Sequence, residues 1–131
     1  MARIAFDLDG TVVGVVDGQL ALRRGMVRAI AEFRRQGHTL ILWTFGTRSW
    51  WNLVVRQFPV LASLFEETYT RDDQRGHETT AGGETLRVKD VRAIRADLLV
   101  DNDPSHHAWA ARHGLQDRYL LVPSYGEDPN A

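Results

Sequence analysis

The sequence predicts a three-layer α/β fold of the Rossmann-like kind, in which helices cover a mostly parallel, five-stranded sheet. Four short runs are almost continuously apolar, as expected for strands that are buried on both faces. They span residues 3–6, 39–43, 97–100 and 119–122. Segments with helical spacing separate these runs, and alternating strands and helices are typical of a parallel sheet. With 131 residues, the chain has the size of one domain, residues 1–131.

Helices are predicted after each of the first two strands. Met26, Ile30 and Phe33 recur at the spacing of one helix face, and Gly37 is suited to end that helix. The next helix is expected over residues 49–57, with Thr47 as its N-cap. Its predicted apolar face consists of Trp50, Leu53, Val54 and Phe58.

The second half of the chain continues the alternation. Pro59 is expected either to end the preceding helix or to start a further short helix through Phe65, and a fifth strand is expected over residues 67–71. Asp103 and Pro104 form an N-cap followed by a first-turn proline, which predicts a helix that ends at Gly114.

Two segments interrupt this pattern, and both are expected at the rim of the sheet. Residues 12–22 contain Asp17-Gly18 between apolar residues, which predicts a tight β-hairpin that forms a flap. Residues 71–85 are polar and glycine-rich, and they predict a long loop or a second hairpin. Residues 128–131 are expected to form a frayed end.

Composition and charge exclude several classes of function. The sequence has no cysteine, which removes disulfides, thiolate nucleophiles and cysteine-bound zinc. The formal net charge of −1 provides no overall basic field for nucleic acid or an anionic membrane. No apolar run is long enough to cross a bilayer, and Asp7 and Asp9 interrupt the start too early for a signal-peptide core. We therefore expect a cytoplasmic location and no membrane partner.

Polar clusters follow three of the predicted strands. The first strand is followed by Asp7-Leu8-Asp9-Gly10-Thr11, the second by Thr44, and the later one by Asp101-Asn102-Asp103. Ligands of open parallel sheets bind at the carboxyl ends of the strands, so these clusters are expected to meet at one edge. Several buried carboxylates in one place require a cation, and Mg²⁺ prefers oxygen ligands and pairs with phosphate.

A calcium loop of the EF-hand type does not fit, because Gly10 comes too early and the required glutamate is missing.

These clusters resemble the motifs of the haloacid dehalogenase superfamily, in the same order along nearly the whole chain. Residues 7–11 resemble the first motif, Thr44 the second, Lys89 the third and Asp101-Asn102 the fourth. Dehalogenases of the superfamily lack the second aspartate of the first motif, so Asp9 favours phosphate chemistry.

Further residues resemble the branch that contains the RNA polymerase C-terminal-domain phosphatases. They are Arg23-Arg24-Gly25, Leu42-Trp43-Thr44, Trp50, Lys89-Asp90 and Asp101-Asn102-Asp103-Pro104. The chain departs from that branch at Arg24, where proline is usual, and at Asp103, where serine is usual.

The resemblance implies a Mg²⁺-dependent phosphatase that hydrolyses a phosphate monoester. Asp7 would be the nucleophile that forms an aspartyl-phosphate, and Asp9 the general acid and base. Thr44, the backbone N–H of Phe45 and Lys89 would hold the phosphate. Mg²⁺ would be held by Asp7, the carbonyl oxygen of Asp9, Asp101 and Asn102, with Asp101 either a direct ligand or one shell further out.

Other polar and aromatic residues are expected to have simpler roles. Arg48 follows Thr44 closely and is a candidate for contact with the substrate, although a surface arginine is the simpler interpretation. His106 and His107 face different directions on a helix and make a poor chelate, so both are expected in solvent. The tryptophans are expected in the core, and Trp51 is the one for which exposure is considered.

Both interruptions are too short to form a full cap domain, so the resemblance implies a capless enzyme with an open site. An open site accepts a phosphate on a small molecule or on a macromolecule, and it leaves the oligomeric state undetermined.

Three alternatives remain. One is a receiver-like signalling domain, and another is a catalytically silent module that binds phosphate and Mg²⁺. The third is a phosphatase for polynucleotide ends that uses Arg71, Arg75 and Arg87; the neutral total charge does not favour nucleic acid.

Overall fold

The computed structural model describes residues 1–79, 82, 83 and 85–127, so the predicted frayed end at residues 128–131 lies outside the described part. Nine strands are described: β1 Arg3–Phe6, β2 Val13–Val16, β3 Gln19–Leu22, β4 Thr39–Trp43, β5 Glu67–Tyr69, β6 His77–Thr79, β7 Thr85–Arg87, β8 Leu98–Asp101 and β9 Tyr119–Leu121. Four α-helices are described: α1 Arg24–Arg35, α2 Arg48–Gln57, α3 Val60–Leu64 and α4 Pro104–Arg112. Short 3₁₀ helices span Arg71–Asp73, Val91–Ile94 and Gln116–Arg118.

The central sheet has five strands in the order β5-β4-β1-β8-β9, and all neighbours are parallel. The α/β class with a parallel, helix-flanked sheet is therefore confirmed, and it is compatible with a Rossmann-like fold. Strand β1 lies in the middle, where Phe6 is in register with Leu42 of β4 and Val100 of β8. The chain runs outward on one side of β1 and then on the other, so the carboxyl end of β1 lies at the topological switch point.

Alternate residues of the strands point into two separate cores, one on each face of the sheet. On one face, Phe6 and Leu42 pack with Ile30 of α1 and Val54 of α2. On the other face, Ile41 and Leu99 pack with Val91, Trp109 of α4 and their neighbours. Both faces are covered, which explains why the central strands are apolar without a polar alternation.

The structure corrects two details of the predicted helices. Trp51 is buried and Trp50 is half-buried, which reverses the expected exposure of this pair. Leu53, which was placed on the apolar face of α2, is 52% exposed, and Phe33 of α1 is 36% exposed. Between β5 and β8, the polar segment forms the β6–β7 hairpin, which is one of the two predicted alternatives, together with short 3₁₀ helices.

Two hairpins lie outside the central sheet. Strands β2 and β3 pair antiparallel across Asp17 and Gly18, which both have positive φ, as a tight hairpin turn requires. Strands β6 and β7 form the second antiparallel pair. In the described part of the chain, no helix has both the length and the apolar character needed to span a bilayer.

Candidate active site

The carboxyl ends of β1, β4 and β8 open into one cleft of about 450 Å³. The cleft is lined by seven predicted site residues, namely Asp7, Asp9, Thr44, Phe45, Lys89, Asp101 and Asn102, together with Gly46, Arg71, Asp103, Pro104, His106 and Ser124. The parallel register explains this convergence, because Asp7 and Thr44 directly follow neighbouring strands and Asp101 ends the third. Groups that are up to 95 positions apart in sequence therefore face the same space.

The ammonium of Lys89 joins two carboxylates at the bottom of the cleft. Lys89 Nζ donates to Asp7 Oδ1 at 2.7 Å and to Asp101 Oδ2 at 2.9 Å. All three residues are buried, and Lys89 is only 2% exposed. Lys89 is also the only lysine in the sequence, in which every other long cationic side chain is arginine. Its compact ammonium carries three rotatable donors, which lets one group bond both buried carboxylates.

Lys89 belongs to a segment without regular structure, yet its backbone is fixed on both sides. Its N–H donates to Nδ1 of His106 at 3.4 Å, and its carbonyl accepts from the Tyr119 hydroxyl at 2.5 Å. The same hydroxyl accepts from the N–H of Val91 at 3.0 Å. Helix α4, strand β9 and a 3₁₀ turn therefore hold the lysine backbone in place.

The charges of this cluster do not balance. Burial raises the pKa of Asp7 from 3.8 to about 7; Lys89 opposes the rise and the Asp101 carboxylate adds to it. Burial lowers the pKa of Lys89, but Asp101 and Asp7 outweigh that effect and hold the pKa above its ordinary value. The lysine therefore stays charged and can compensate only one of the two carboxylates, so ionisation of Asp7 adds a negative charge that the lysine does not balance.

The loop after β1 brings oxygen atoms together beside Asp7. Gly10 has φ of 82°, and a Cβ at this position would lie 2.3 Å from Nδ2 of Asn102, so only glycine allows the close approach. The fully buried hydroxyl of Thr11 lies 3.1 Å from both Asp7 Oδ2 and Asn102 Oδ1. The side chains of Asp7 and Asn102 therefore meet over this loop.

The side-chain oxygen of Asn102, which is a hydrogen-bond acceptor, faces two other acceptors, Asp7 Oδ2 and the carbonyl oxygen of Asp9. If the amide is turned over, its nitrogen donates to Asp7 Oδ2 at 2.8 Å and to the carbonyl oxygen of Asp9 at 3.1 Å. In the orientation that the structure has, the Asn102 oxygen takes the place of that nitrogen and lies 2.8 Å from Asp7 Oδ2 and 3.1 Å from the Asp9 carbonyl oxygen. Neither an ionised Asp7 nor the Asp9 carbonyl has a proton to donate to it. The Asn102 oxygen is thus suited to this position when a cation lies among the three atoms.

The spacing of these oxygens is that of ligands around a small octahedral cation such as Mg²⁺. With metal–oxygen distances of about 2.0–2.1 Å in an octahedron, neighbouring ligand oxygens lie about 2.9 Å apart. In the part of the chain that the structure describes, no group of three or more His, Cys, Asp or Glu side chains forms a metal site. The candidate ligands are instead one carboxylate, one backbone carbonyl and one amide, a hard oxygen set that suits Mg²⁺. Both side-chain oxygens of Asp101 already accept bonds, from Lys89 and from the N–H of Asp103.

The loop after β4 supplies the opposite wall of the cleft. The Thr44 side chain is buried, and its oxygen accepts from the N–H of Gly46 at 2.9 Å. Nε of Arg71 donates to the carbonyl of Phe45 at 2.7 Å, and the backbone N–H of Arg71 donates to the Gly46 carbonyl at 2.9 Å. The 3₁₀ helix that starts at Arg71, just after β5, thereby fixes this loop, and Arg71 is exposed at the mouth of the cleft.

Asp9 lies on the rim and is held by a tryptophan. Nε1 of Trp50 donates to Asp9 Oδ1 at 2.8 Å. Trp50 is in the first turn of α2, where its backbone N–H is capped by the Thr47 hydroxyl at 3.1 Å. The position of the indole is therefore set by the start of the helix.

The segment after β9 lies against the flap and completes the cleft. Nδ2 of Asn102 donates to Oγ of Ser124 at 2.9 Å. The N–H of Tyr125 donates to the Gly10 carbonyl at 2.8 Å, and Val15 and Glu127 exchange two backbone hydrogen bonds at 2.9 Å. Ser124 is consequently held where it can orient the Asn102 amide.

Two residues do not lie where they were expected. His106 is buried at 6% exposure and lines the cleft, with its ring edge-on to Phe45 at 5.7 Å. Burial lowers the pKa of His106, and the Lys89 ammonium lowers it further, so the ring is neutral near pH 7. Arg48 does not line the cleft, because its guanidinium bonds Asp73 at 3.0 Å and Thr68 at 3.3 Å.

Comparisons with known proteins add no assignment. The sequence matches no protein-family model. It also matches no curated protein. The geometry of the cleft is therefore the basis for the functional conclusion.

Proposed function

We propose that the protein is a Mg²⁺-dependent phosphatase of the haloacid dehalogenase type that hydrolyses phosphate monoesters through an aspartyl-phosphate on Asp7. The observation that carries the proposal is the meeting of Asp7, Lys89, Thr44 and Asn102 around one cleft at the switch point of a parallel sheet. This set combines a buried nucleophilic carboxylate, a fixed ammonium, a hydroxyl and an oxygen-rich cation site. Phosphoryl transfer needs positioning and charge compensation, and these groups supply both.

The Asp7 carboxylate has two oxygens with different surroundings. Oδ2 faces Thr11 and Asn102, whereas Oδ1 lies 2.7 Å from Nζ of Lys89. We assign Oδ2 to the cation and Oδ1 to the attack on phosphorus. The ammonium lies beside the attacking oxygen, so it also faces the oxygens of the transferring phosphoryl group and stabilises their charge.

Asp9 is the group that moves protons. In the first step, an Asp7 oxygen bonds phosphorus, the bond to the leaving oxygen breaks, and the Asp9 proton moves to that oxygen. In the second step, water gives a proton to Asp9 while its oxygen bonds phosphorus and the bond to Asp7 breaks. Thr44 holds a phosphoryl oxygen through its hydroxyl, and the loop at Phe45 and Gly46 forms the wall beside it.

Asp7 Oδ2, the Asp9 carbonyl and Asn102 Oδ1 would hold Mg²⁺, while Asp101 orients Lys89 and the turn at Asp103. When bound, Mg²⁺ neutralises charge on a phosphoryl oxygen and on Asp7. Two buried carboxylates share one ammonium, and Asp7 Oδ2, the Asp9 carbonyl and the Asn102 amide meet at one point; both features support this cation.

The proposal is tested by hydrolysis of p-nitrophenyl phosphate with Mg²⁺ and with a chelator. Wild-type protein is expected to turn over only with Mg²⁺, and Asp7→Asn and Asp9→Asn are each expected to lose turnover by at least about a hundredfold. Asp17→Asn is the matched control, because Asp17 is an exposed hairpin residue outside the cleft. Turnover that survives Asp7→Asn refutes the nucleophile. A phosphoryl group that stays on Asp7 without turnover would support a receiver-like module instead.

A further inference from the structure

We propose that Trp50 is a positioning residue that fixes the Asp9 carboxylate and determines which of its two oxygens carries the transferred proton. This inference rests on the proposed function, because it assigns a role to a neighbour of the proposed general acid. Its basis is the 2.8 Å hydrogen bond from the Trp50 indole Nε1 to Asp9 Oδ1.

The indole group permits only one arrangement of the proton. An indole N–H is a donor and has no acceptor lone pair in the ring plane. Oδ1 must therefore accept in both protonation states of Asp9, and the exchangeable proton is left to Oδ2. A hydroxyl or an amide at this position would not impose that choice, because either group can also accept a hydrogen bond.

The geometry places Oδ2 on the side of the Thr44–Gly46 loop, which is the proposed phosphate-binding loop. A Cβ built on Gly46 would lie 3.6 Å from Asp9 Oδ2 and 3.2 Å from Thr44 Oγ1. Oδ2 and the Thr44 hydroxyl therefore face the same point of the phosphate-binding loop. The same Cβ would lie 3.0 Å from Cδ1 of Trp50, so glycine leaves room for the indole beside the carboxylate.

The indole is itself fixed, which is what a positioning role requires. Trp50 packs against the core on its apolar side and lies in the first turn of α2, where the Thr47 hydroxyl accepts from its backbone N–H. A carboxylate on a loop rim has free rotation about its terminal bond unless a partner holds it. In the proposed step, the proton on Asp9 Oδ2 passes to the leaving oxygen while the bond between that oxygen and phosphorus breaks.

The test compares Trp50→Phe with Trp51→Phe, which removes the neighbouring indole N–H from a buried position. Each variant is assayed with p-nitrophenyl phosphate, whose leaving group needs no proton, and with glycerol 2-phosphate, whose alkoxide does. The parameter is kcat/KM, which covers the steps up to departure of the leaving group. Trp50→Phe is expected to lose at least about tenfold more activity on glycerol 2-phosphate than on the aryl ester. Trp51→Phe is expected to affect both substrates equally, and an equal loss in Trp50→Phe overturns the proposal.

A second measurement needs no catalysis. The indole N–H resonances of the four tryptophans are recorded by NMR in wild type and in Asp9→Asn. The Trp50 resonance, assigned by its disappearance in Trp50→Phe, is expected to shift more than the other three when the carboxylate is lost. An unchanged Trp50 resonance overturns the contact. A protein that hydrolyses neither ester refutes the proposed function, while this resonance still decides whether Trp50 holds Asp9.

Discussion

On the Lys89 side of the cleft the polar groups are buried and joined by ion pairs, whereas on the Asp9 side they are half-exposed and held by uncharged hydrogen-bond partners. Lys89 bridges Asp7 and Asp101 at 2.7 and 2.9 Å. Across the cleft, an indole orients Asp9 and a serine hydroxyl orients Asn102. The difference follows from solvent access, because buried carboxylates need a countercharge and exposed ones need only a fixed direction. Substitutions on the first side should therefore affect folding and chemistry together, and those on the second side mainly chemistry.

The largest effect is expected from Lys89→Met. It leaves Asp7 and Asp101 buried without their shared cation, which should lower the free energy of unfolding in chelator by about 3–5 kcal/mol. Activity should be lost, and Lys89→Arg should not restore it, because the guanidinium is too large for the position. Denaturant unfolding measures the first effect, with the exposed Arg28→Met as the control. A stable and active Lys89→Met would show that the ion pairs are dispensable.

Gly10→Ala is expected to follow, because it places a methyl group against the amide of Asn102. Gly18→Ala is the matched control, since Gly18 also has positive φ but no atom within 4 Å of an added Cβ. Backbone strain should cost about 1–2 kcal/mol at either position. Only Gly10→Ala should lower Mg²⁺-dependent activity, by at least about tenfold. Equal Mg²⁺-dependent activities of the two variants would show that the position of the Asn102 amide does not affect the cation site.

Ser124→Ala is expected to have a smaller and more selective effect. Without the hydroxyl, the oxygen-inward orientation of the Asn102 amide loses its outer partner, so the Mg²⁺ concentration for half-maximal activity should rise about tenfold. The thermal midpoint in chelator should hardly change, because Ser124 is exposed. Ser63→Ala, another exposed serine on α3, serves as the control. An unchanged Mg²⁺ requirement would contradict the orienting role.

A separate effect concerns the pH dependence of the stability of the metal-free protein. The pKa of Asp7 is raised from 3.8 to about 7 by burial, so the folded state holds a proton that the unfolded state releases. This contribution to stability is complete below about pH 4 and is lost as pH rises to about 7. The thermal midpoint of wild type minus that of Asp7→Asn should therefore fall across this window in chelator. A difference in thermal midpoint that does not change with pH would mean that burial does not raise the pKa of Asp7.

The sheet and the polar residues that meet at the carboxyl ends of its strands could be predicted for the same physical reason, whereas Lys89 was predicted from the family resemblance. Apolar runs end abruptly at polar residues, and this boundary is local, so β1 and β4 were predicted with the bounds that the structure has. The parallel arrangement then brings the polar residues of separate strands to one edge. The roles of these residues in catalysis stay predictions.

The residues that orient the site were harder to predict. Trp50 and Trp51 both have helical spacing to Val54, so periodicity alone does not decide which of the two is buried. Ser124 lies 22 positions after Asn102 in a loop, and such long-range contacts leave no local pattern. His106 did have a signal, because it lies at i−3 and i−4 from the buried Trp109 and Ala110 on α4.

The central claim, that Asp7 is the nucleophile, is tested most directly by trapping the intermediate. Asp9→Asn protein, which lacks the base for the second step, is mixed with p-nitrophenyl phosphate and Mg²⁺, quenched in acid, and reduced with borohydride, which converts an acyl phosphate to an alcohol. Peptide mass spectrometry is expected to find the reduced side chain at residue 7, and no such product in Asp7→Asn. Reduction at another carboxylate, or at none while wild type turns over, would contradict the account.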